Sequence, residues 1–74
     1  MLIKFEIYHD GKFWCARGIG ADIFTQAKNL DKLMKNIDEA VSLHFEDEIS
    51  NGEKVKILSI SEMEAGQIAK ATGN

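Results

Sequence analysis

A long amphipathic pattern occupies the middle of the chain, from residue 29 to residue 48. Its apolar side chains recur every three or four positions, which is the spacing of one face of an α-helix. The stripe consists of Leu30, Leu33, Met34, Ile37, Ala40, Val41 and the neighbouring pair His44 and Phe45. Asn29 is a favourable N-cap, because its side-chain oxygen can accept a hydrogen bond from a backbone amide one turn further on. The pattern therefore predicts one long helix, and residues 50–52 supply its end.

The other apolar segments are short and alternate with polar residues, as in β-strands that are buried on one face. They predict four strands, over residues 2–8, 13–17, 23–26 and 54–60. In the first strand, Ile3, Phe5 and Ile7 share one face, and the residues between them share the other. Asp10 and Gly11 separate the first two strands, and an Asp-Gly pair favours a tight turn.

The order of these elements predicts the topology of the sheet. Short connections make the first three strands an antiparallel meander, so the third strand runs parallel to the first. The helix returns the chain, and the fourth strand then pairs with the free edge of the first. We therefore predict a two-layer α+β domain with element order β-β-β-α-β, strand order 3-2-1-4 and one long helix on one sheet face. This domain is expected to span residues 1–60, and residues 61–74 are expected to form a tail or a short helix.

One helix covers only one face of such a sheet. By alternation the opposite face carries Leu2, Tyr8, Leu58 and Ile60, and we expect Trp14 to join them. An uncovered apolar face on a small domain indicates a partner or a second copy of the chain. We therefore interpret Tyr8, Trp14 and Leu58 as an apolar contact surface or the seam of a homodimer. The alternative is that the C-terminal segment folds back over this face.

Charge favours one kind of partner over another. The 74 residues carry a formal net charge of −3, which disfavours nucleic-acid binding and favours a basic protein. Acidic residues cluster toward the end of the predicted helix, where they oppose the helix macrodipole. We predict that this cluster binds the partner, and it comprises Asp38, Glu39, Glu46, Asp47 and Glu48. The alternative is a solvated helix end, which is the usual state of a run of charges.

No group of residues predicts a catalytic or metal site. Cys15 is the only cysteine, which excludes an internal disulfide and a cysteine-rich zinc site, and its apolar setting is typical of a core cysteine. His44 and Glu48 are four residues apart, but together with His9 and Asp10 they match no metal-ligand motif. We therefore expect a protein that is not an enzyme and holds no metal or cofactor.

The chain shows no targeting segment. Its first residues lack the apolar region and the cleavage site of a signal peptide. No apolar run is long enough to span a bilayer. We therefore expect a cytoplasmic protein.

Several motifs, in the same order along the chain, resemble those of the HicB-like antitoxin family. Residues 11–16, GKFWCA, are similar to the family's second strand with its G-x-W/Y-x-A motif. Residues 24–30, FTQAKNL, resemble the entry into its helix, with Asn29 at the capping position. Residues 36–41, NIDEAV, are similar to its mid-helix N-I-x-E-A-I run. The resemblance covers most of the chain and implies a partial ribonuclease-H-like fold that masks a small basic HicA-type ribonuclease toxin.

The chain departs from the family pattern in two places. Residues 18–22 replace the usual P-x-L-P-G-C segment, and Lys28 replaces a usual aspartate. Residues 61–74 are too few for the DNA-binding domain of many members, so we expect no operator binding. The leading hypothesis is a non-catalytic, homodimeric, antitoxin-like module. The alternative is a structural or dimerisation module of unknown ligand that has no toxin partner.

Overall fold

The chain folds into a helical layer on a four-stranded sheet. The computed structural model describes residues 1–62 and 65–66. In chain order the elements are β1 (Leu2–His9), β2 (Trp14–Ile19), β3 (Phe24–Ala27), α1 (Leu30–His44), α2 (Glu46–Ser50) and β4 (Lys56–Ser61). The strand order is β3-β2-β1-β4, in which β2 runs antiparallel to both neighbours and β4 runs parallel to β1. The predicted α+β class and strand order are confirmed, whereas most of the tail or short helix predicted over residues 61–74 lies outside the described residues.

The core forms between α1 and one face of the sheet. Its side chains alternate along β1 and recur at helical spacing along α1. They are Ile3, Phe5, Ile7, Ala16, Ile23, Ala27, Leu33, Ile37 and Val41. Burial of one large apolar side chain contributes about 1.5–3 kcal/mol, so this contact holds α1 on the sheet.

The prediction of one continuous helix over residues 29–48 is wrong at its C-terminal end. α1 begins as expected, with Oδ1 of the N-cap Asn29 accepting a hydrogen bond from the Lys32 amide at 2.8 Å. It ends at His44, because Phe45 leaves the helical conformation (φ −110°, ψ 32°) and packs its side chain against the core. The Phe45 amide still donates to the Val41 carbonyl oxygen at 2.9 Å, and the short helix α2 follows.

This break changes the electrostatic setting of the acidic cluster. Glu46, Asp47 and Glu48 form the first turn of α2 rather than the last turn of a long helix. Negative side chains are favourable at a helix N-terminus, where the macrodipole places partial positive charge. Three of the five predicted docking residues therefore also stabilise a local helix start.

The turn between β1 and β2 is built around the carboxylate of Asp10. Its Oδ1 accepts hydrogen bonds from the Phe13 amide at 2.7 Å and from the Lys12 amide at 2.9 Å. Gly11 occupies the left-handed region at φ 100°, which a glycine adopts without strain. The Phe13 and Lys12 amides hold the pKa of Asp10 below its ordinary value of 3.8. The Asp-Gly pair thus forms the predicted turn, although β2 begins only at Trp14.

Stability should therefore depend on the ionisation of Asp10. Because its pKa is lower in the folded state, the charged carboxylate stabilises the fold above pH 3.8, and this contribution disappears as the pH falls through the folded-state pKa. Asp10→Asn keeps an acceptor oxygen but cannot titrate. The difference between the urea midpoints of the wild type and this variant should shrink between about pH 5 and about pH 2. Asp22→Asn is the control. If the difference in urea midpoint between the wild type and Asp10→Asn did not change with pH, and equalled the difference measured for Asp22→Asn, this role of Asp10 would be excluded.

Candidate functional site

The sheet face opposite α1 carries a group of exposed apolar side chains, which we call the open face. Register pairing places these residues on the side of the sheet away from the core. They are Leu2, Tyr8, Ile19, Phe24, Leu58 and Ile60. Leu2 and Phe24 leave 52% and 56% of their surface exposed. Leu2, Tyr8, Leu58 and Ile60 lie where the alternation predicted them, and an apolar group of this kind is typical of a contact surface.

An ion pair crosses the middle of the open face. Glu6 and Arg17 are cross-strand partners, and the guanidinium of Arg17 donates to Oε1 of Glu6. Ile60 lies beside Glu6 on β4, and Phe24 lies beside Arg17 on β3. Both charged side chains are exposed, so the pair contributes about 0–1 kcal/mol to stability. Lys4 lies on the same face between Ile19 and Leu58, so the apolar side chains of the open face alternate with charged ones.

The structure separates the three residues predicted to form the apolar seam. Tyr8 and Leu58 lie on the open face. Trp14 does not join them: it pairs with Ala27 of the core and packs, half-buried, against the core beneath α1. Its ring instead meets the His9 ring edge-on, with centroids 5.0 Å apart. The expectation that Trp14 shares the open face is wrong, because the register of the hairpin turns its side chain to the helix side.

Cys15 is buried, as its apolar setting predicted, but it does not belong to the core under α1. It is the cross-strand partner of Tyr8 and therefore lies on the open face. Its Sγ donates to the Phe13 carbonyl oxygen at 3.7 Å. Burial, and secondarily the nearby carboxylate of Asp10, raise the pKa of the Cys15 thiol. The thiol is therefore protonated at neutral pH, which is the opposite of an activated nucleophile.

The five predicted docking residues lie along the second half of α1 and on α2. Asp38, Glu39, Glu46 and Asp47 are exposed, and Glu48 is half-buried. Successive positions of a helix point about 100° apart, so the side chains of Asp38 and Glu39 face different directions. We call these five residues the acidic end.

Charge is segregated along the helical layer. From residue 36 to residue 53 the chain has six acidic residues and no lysine or arginine. Lys28, Lys32 and Lys35 stand at the start of α1 instead. At a rise of 1.5 Å per residue, about 20 Å separates these lysines from the first turn of α2. The acidic end therefore holds five of the chain's 12 acidic residues and none of its nine basic residues.

A cleft of about 420 Å³ beside the start of α1 was not predicted from the sequence. Its lining includes Phe13, Lys28, Lys32 and Asn36. The side-chain Nδ2 of Asn36 donates to the Gln26 carbonyl oxygen at 3.3 Å, which ties α1 to β3. The polar side chain of Asn36 is therefore used to hold the helix on the sheet.

The described residues contain no group of three or more His, Cys, Asp and Glu side chains placed to hold a metal ion. His44 lies beside the ring of Phe45, with centroids 4.7 Å apart. Neither helix in residues 1–62 is long and apolar enough to cross a membrane. In comparisons with known proteins, no family model, no curated protein and no solved structure matches the chain.

Proposed function

We propose that the chain is a non-catalytic, cytoplasmic protein-binding module whose acidic end binds a small basic protein. The observation that carries this proposal is the segregation of charge: residues 36–53 contain six acidic residues and no lysine or arginine, and most of the acidic residues are exposed. The resemblance to HicB-like antitoxins makes a HicA-type ribonuclease toxin the partner that we propose.

Electrostatic attraction supports such a pairing. A concentrated negative surface steers a basic protein toward it and raises the association rate, most strongly at low salt. A ribonuclease binds RNA phosphates with lysine and arginine side chains. Carboxylates of the acidic end would occupy those side chains in place of phosphates, which is how the module would mask its partner.

Asp38 and Glu39 are the best positions at which to test this role, because Glu46, Asp47 and Glu48 also stabilise the start of α2. We expect Asp38→Lys combined with Glu39→Lys to slow association with the basic partner by about tenfold or more at low salt. The salt dependence of the rate should weaken as well. Surface plasmon resonance measures both, with the protein recovered by the tagged wild-type chain as analyte.

The matched control is Asp22→Lys combined with Asp31→Lys. These two substitutions change the net charge equally, but they lie before or at the start of α1. Because Asp31 lies in the first turn of α1, circular dichroism checks that the helix still forms in this variant. Association should then remain close to that of the wild type, apart from a small effect of net charge. Equal slowing by both pairs, or no slowing by either, would refute docking at the acidic end.

The open face favours a second candidate function. Six exposed apolar side chains on one sheet face suit a structural or dimerisation module that has no toxin partner. Such a module would self-associate or bind a ligand at the sheet, and its partner affinity would be insensitive to substitutions at the acidic end. The charge-reversal experiment therefore separates the two candidates.

A further inference from the structure

Within residues 1–62 and 65–66, no strand pairs with the outer edge of β4. β4 is the terminal strand of the sheet, and all six of its residues are exposed. α1 packs over β2 and β3. Ile57 shares the core face as the partner of Ile3 but is still 37% exposed. An exposed edge with three large apolar side chains is a template for pairing with another strand.

One hydrogen bond establishes which backbone groups of β4 point outward. The Lys56 amide donates to the Met1 carbonyl oxygen at 2.9 Å, and Lys56 is the register partner of Leu2. In a parallel ladder, residues whose amide and carbonyl face the neighbouring strand alternate with residues whose groups face away. Lys56, Leu58 and Ile60 therefore bond to β1. The residues between them, Ile57, Ser59 and Ser61, direct their backbone groups to the free edge.

We propose that this edge pairs with β4 of a second copy of the chain, antiparallel and centred on Ser59. Only outward-facing residues can exchange hydrogen bonds across the new ladder. With Ser59 opposite itself, Ile57 lies opposite Ser61 of the second copy. All three outward residues of each strand are then used, and each of the three pairs exchanges two hydrogen bonds.

The side chains select the same register. Lys56 comes to lie opposite Glu62 of the second copy, and Leu58 lies opposite Ile60. Each pair occurs twice because the contact is two-fold symmetric. These are the non-hydrogen-bonded pairs, in which side chains approach most closely and opposite charges or apolar groups stabilise the ladder. Centring the ladder on Leu58 instead would place Lys56 opposite Ile60 and Ser61 opposite Val55, which precedes β4.

This self-complementarity identifies the strand that pairs with the edge as β4 of a second copy of the chain. The strand carries a cation at its start and an anion just past its end, so an antiparallel copy satisfies both charges. Residues directly opposite one another share a face, so both α1 helices lie on one side of an eight-stranded sheet and the two open faces become continuous. A contact made by one strand pair is small, so the dimer should dissociate on dilution.

Charge reversal tests the register on the purified full chain, without the basic partner. We expect Lys56→Glu alone and Glu62→Lys alone each to raise the dimer dissociation constant about tenfold, because each places like charges in contact twice. An equimolar mixture of the two variants should regain wild-type association, since each charge then meets its opposite. Sedimentation equilibrium measures these constants, with Lys28→Glu, distant from β4, as the control that leaves them unchanged.

Ser59→Pro tests the backbone contact. It removes the central outward amide, which makes no ladder hydrogen bond to β1, and proline is tolerated at such an edge position. The expected result is a monomer with an unchanged circular dichroism spectrum; if the variant does not fold, the charge reversals decide.

A wild-type chain that stays monomeric at every concentration would overturn the proposal. A monomer is the result expected if the C-terminal segment covered this edge. A folded Ser59→Pro dimer, or charge variants that behave as the wild type, would also overturn it. Because no basic partner is present, these results leave docking at the acidic end untouched.

Discussion

Replacing Phe5 with alanine should lower the free energy of unfolding by about 3–5 kcal/mol. Phe5 is fully buried at the centre of β1. Its neighbours across the sheet are Gly18 on β2 and Ser59 on β4, so its ring fills the space that two small residues leave. Removal of the ring leaves a cavity at this point, and a loss of this size is typical of phenylalanine-to-alanine substitutions in a core. A domain of this size has only about 4–11 kcal/mol of stability to lose.

Urea denaturation followed by circular dichroism measures this loss. The control is Leu43→Ala, because Leu43 on α1 is 74% exposed and should change the stability by about 0.5 kcal/mol or less. Similar losses for the two variants would mean that the core is not centred on Phe5.

Gly18→Ala should lower the free energy of unfolding by about 1–3 kcal/mol, although it adds only one methyl group. A Cβ at this position would stand directly against the Ala21 carbonyl oxygen and lie 3.2 Å from the Ile23 carbonyl oxygen. Both obstacles are backbone atoms, so no side-chain rotation can relieve the contact. The Gly18 amide also donates to the Ile23 carbonyl oxygen at 2.8 Å, and displacement of the loop would weaken this bond.

A comparison with Gly20→Asn isolates the steric effect. Gly20 occupies the left-handed region (φ 78°), which asparagine tolerates, and a Cβ there would meet open space. We expect Gly20→Asn to lower the free energy of unfolding distinctly less than Gly18→Ala does in the same urea titration. The opposite order would show that loop conformation, rather than the close approach at Gly18, determines the stability of this connection.

Much of the fold could be predicted because local patterns and connection lengths determine it. Alternation in β1 identified the core residues Ile3, Phe5 and Ile7, and the helical stripe identified Leu33, Ile37 and Val41. Short connections set the order of the first three strands, and the helical return was expected to bring the fourth strand to the free edge of the first, where it is observed.

The helix break at Phe45 could not be predicted from periodicity. The apolar stripe continues through His44 and Phe45, and no proline or glycine marks an end before Gly52. At the break the Phe45 backbone leaves the helical conformation while its side chain packs against the core, and nothing in the local sequence marks this position. The electrostatic role of Glu46, Asp47 and Glu48 at the start of α2 follows from this break and was therefore missed.

The composition of the open face depended on the register of one hairpin. The connection over residues 10–13 pairs His9 with Trp14, which turns Trp14 to the core side and Arg17 toward Glu6. An Asp-Gly pair predicts a turn but not its length, and a shift of one residue exchanges the two faces of β2. For the same reason the Glu6–Arg17 pair at the centre of the open face was not foreseen.

Native mass spectrometry of the tagged wild-type chain, captured from its own cells at low salt, tests the proposed function most directly. We predict a complex in which the chain and a small basic protein occur in an integer ratio. That protein should be released when the salt concentration is raised. The amount captured should fall when Asp38→Lys and Glu39→Lys are combined in the bait. Recovery of the chain alone, as a monomer or a homodimer, would contradict the claim that the acidic end binds a basic protein.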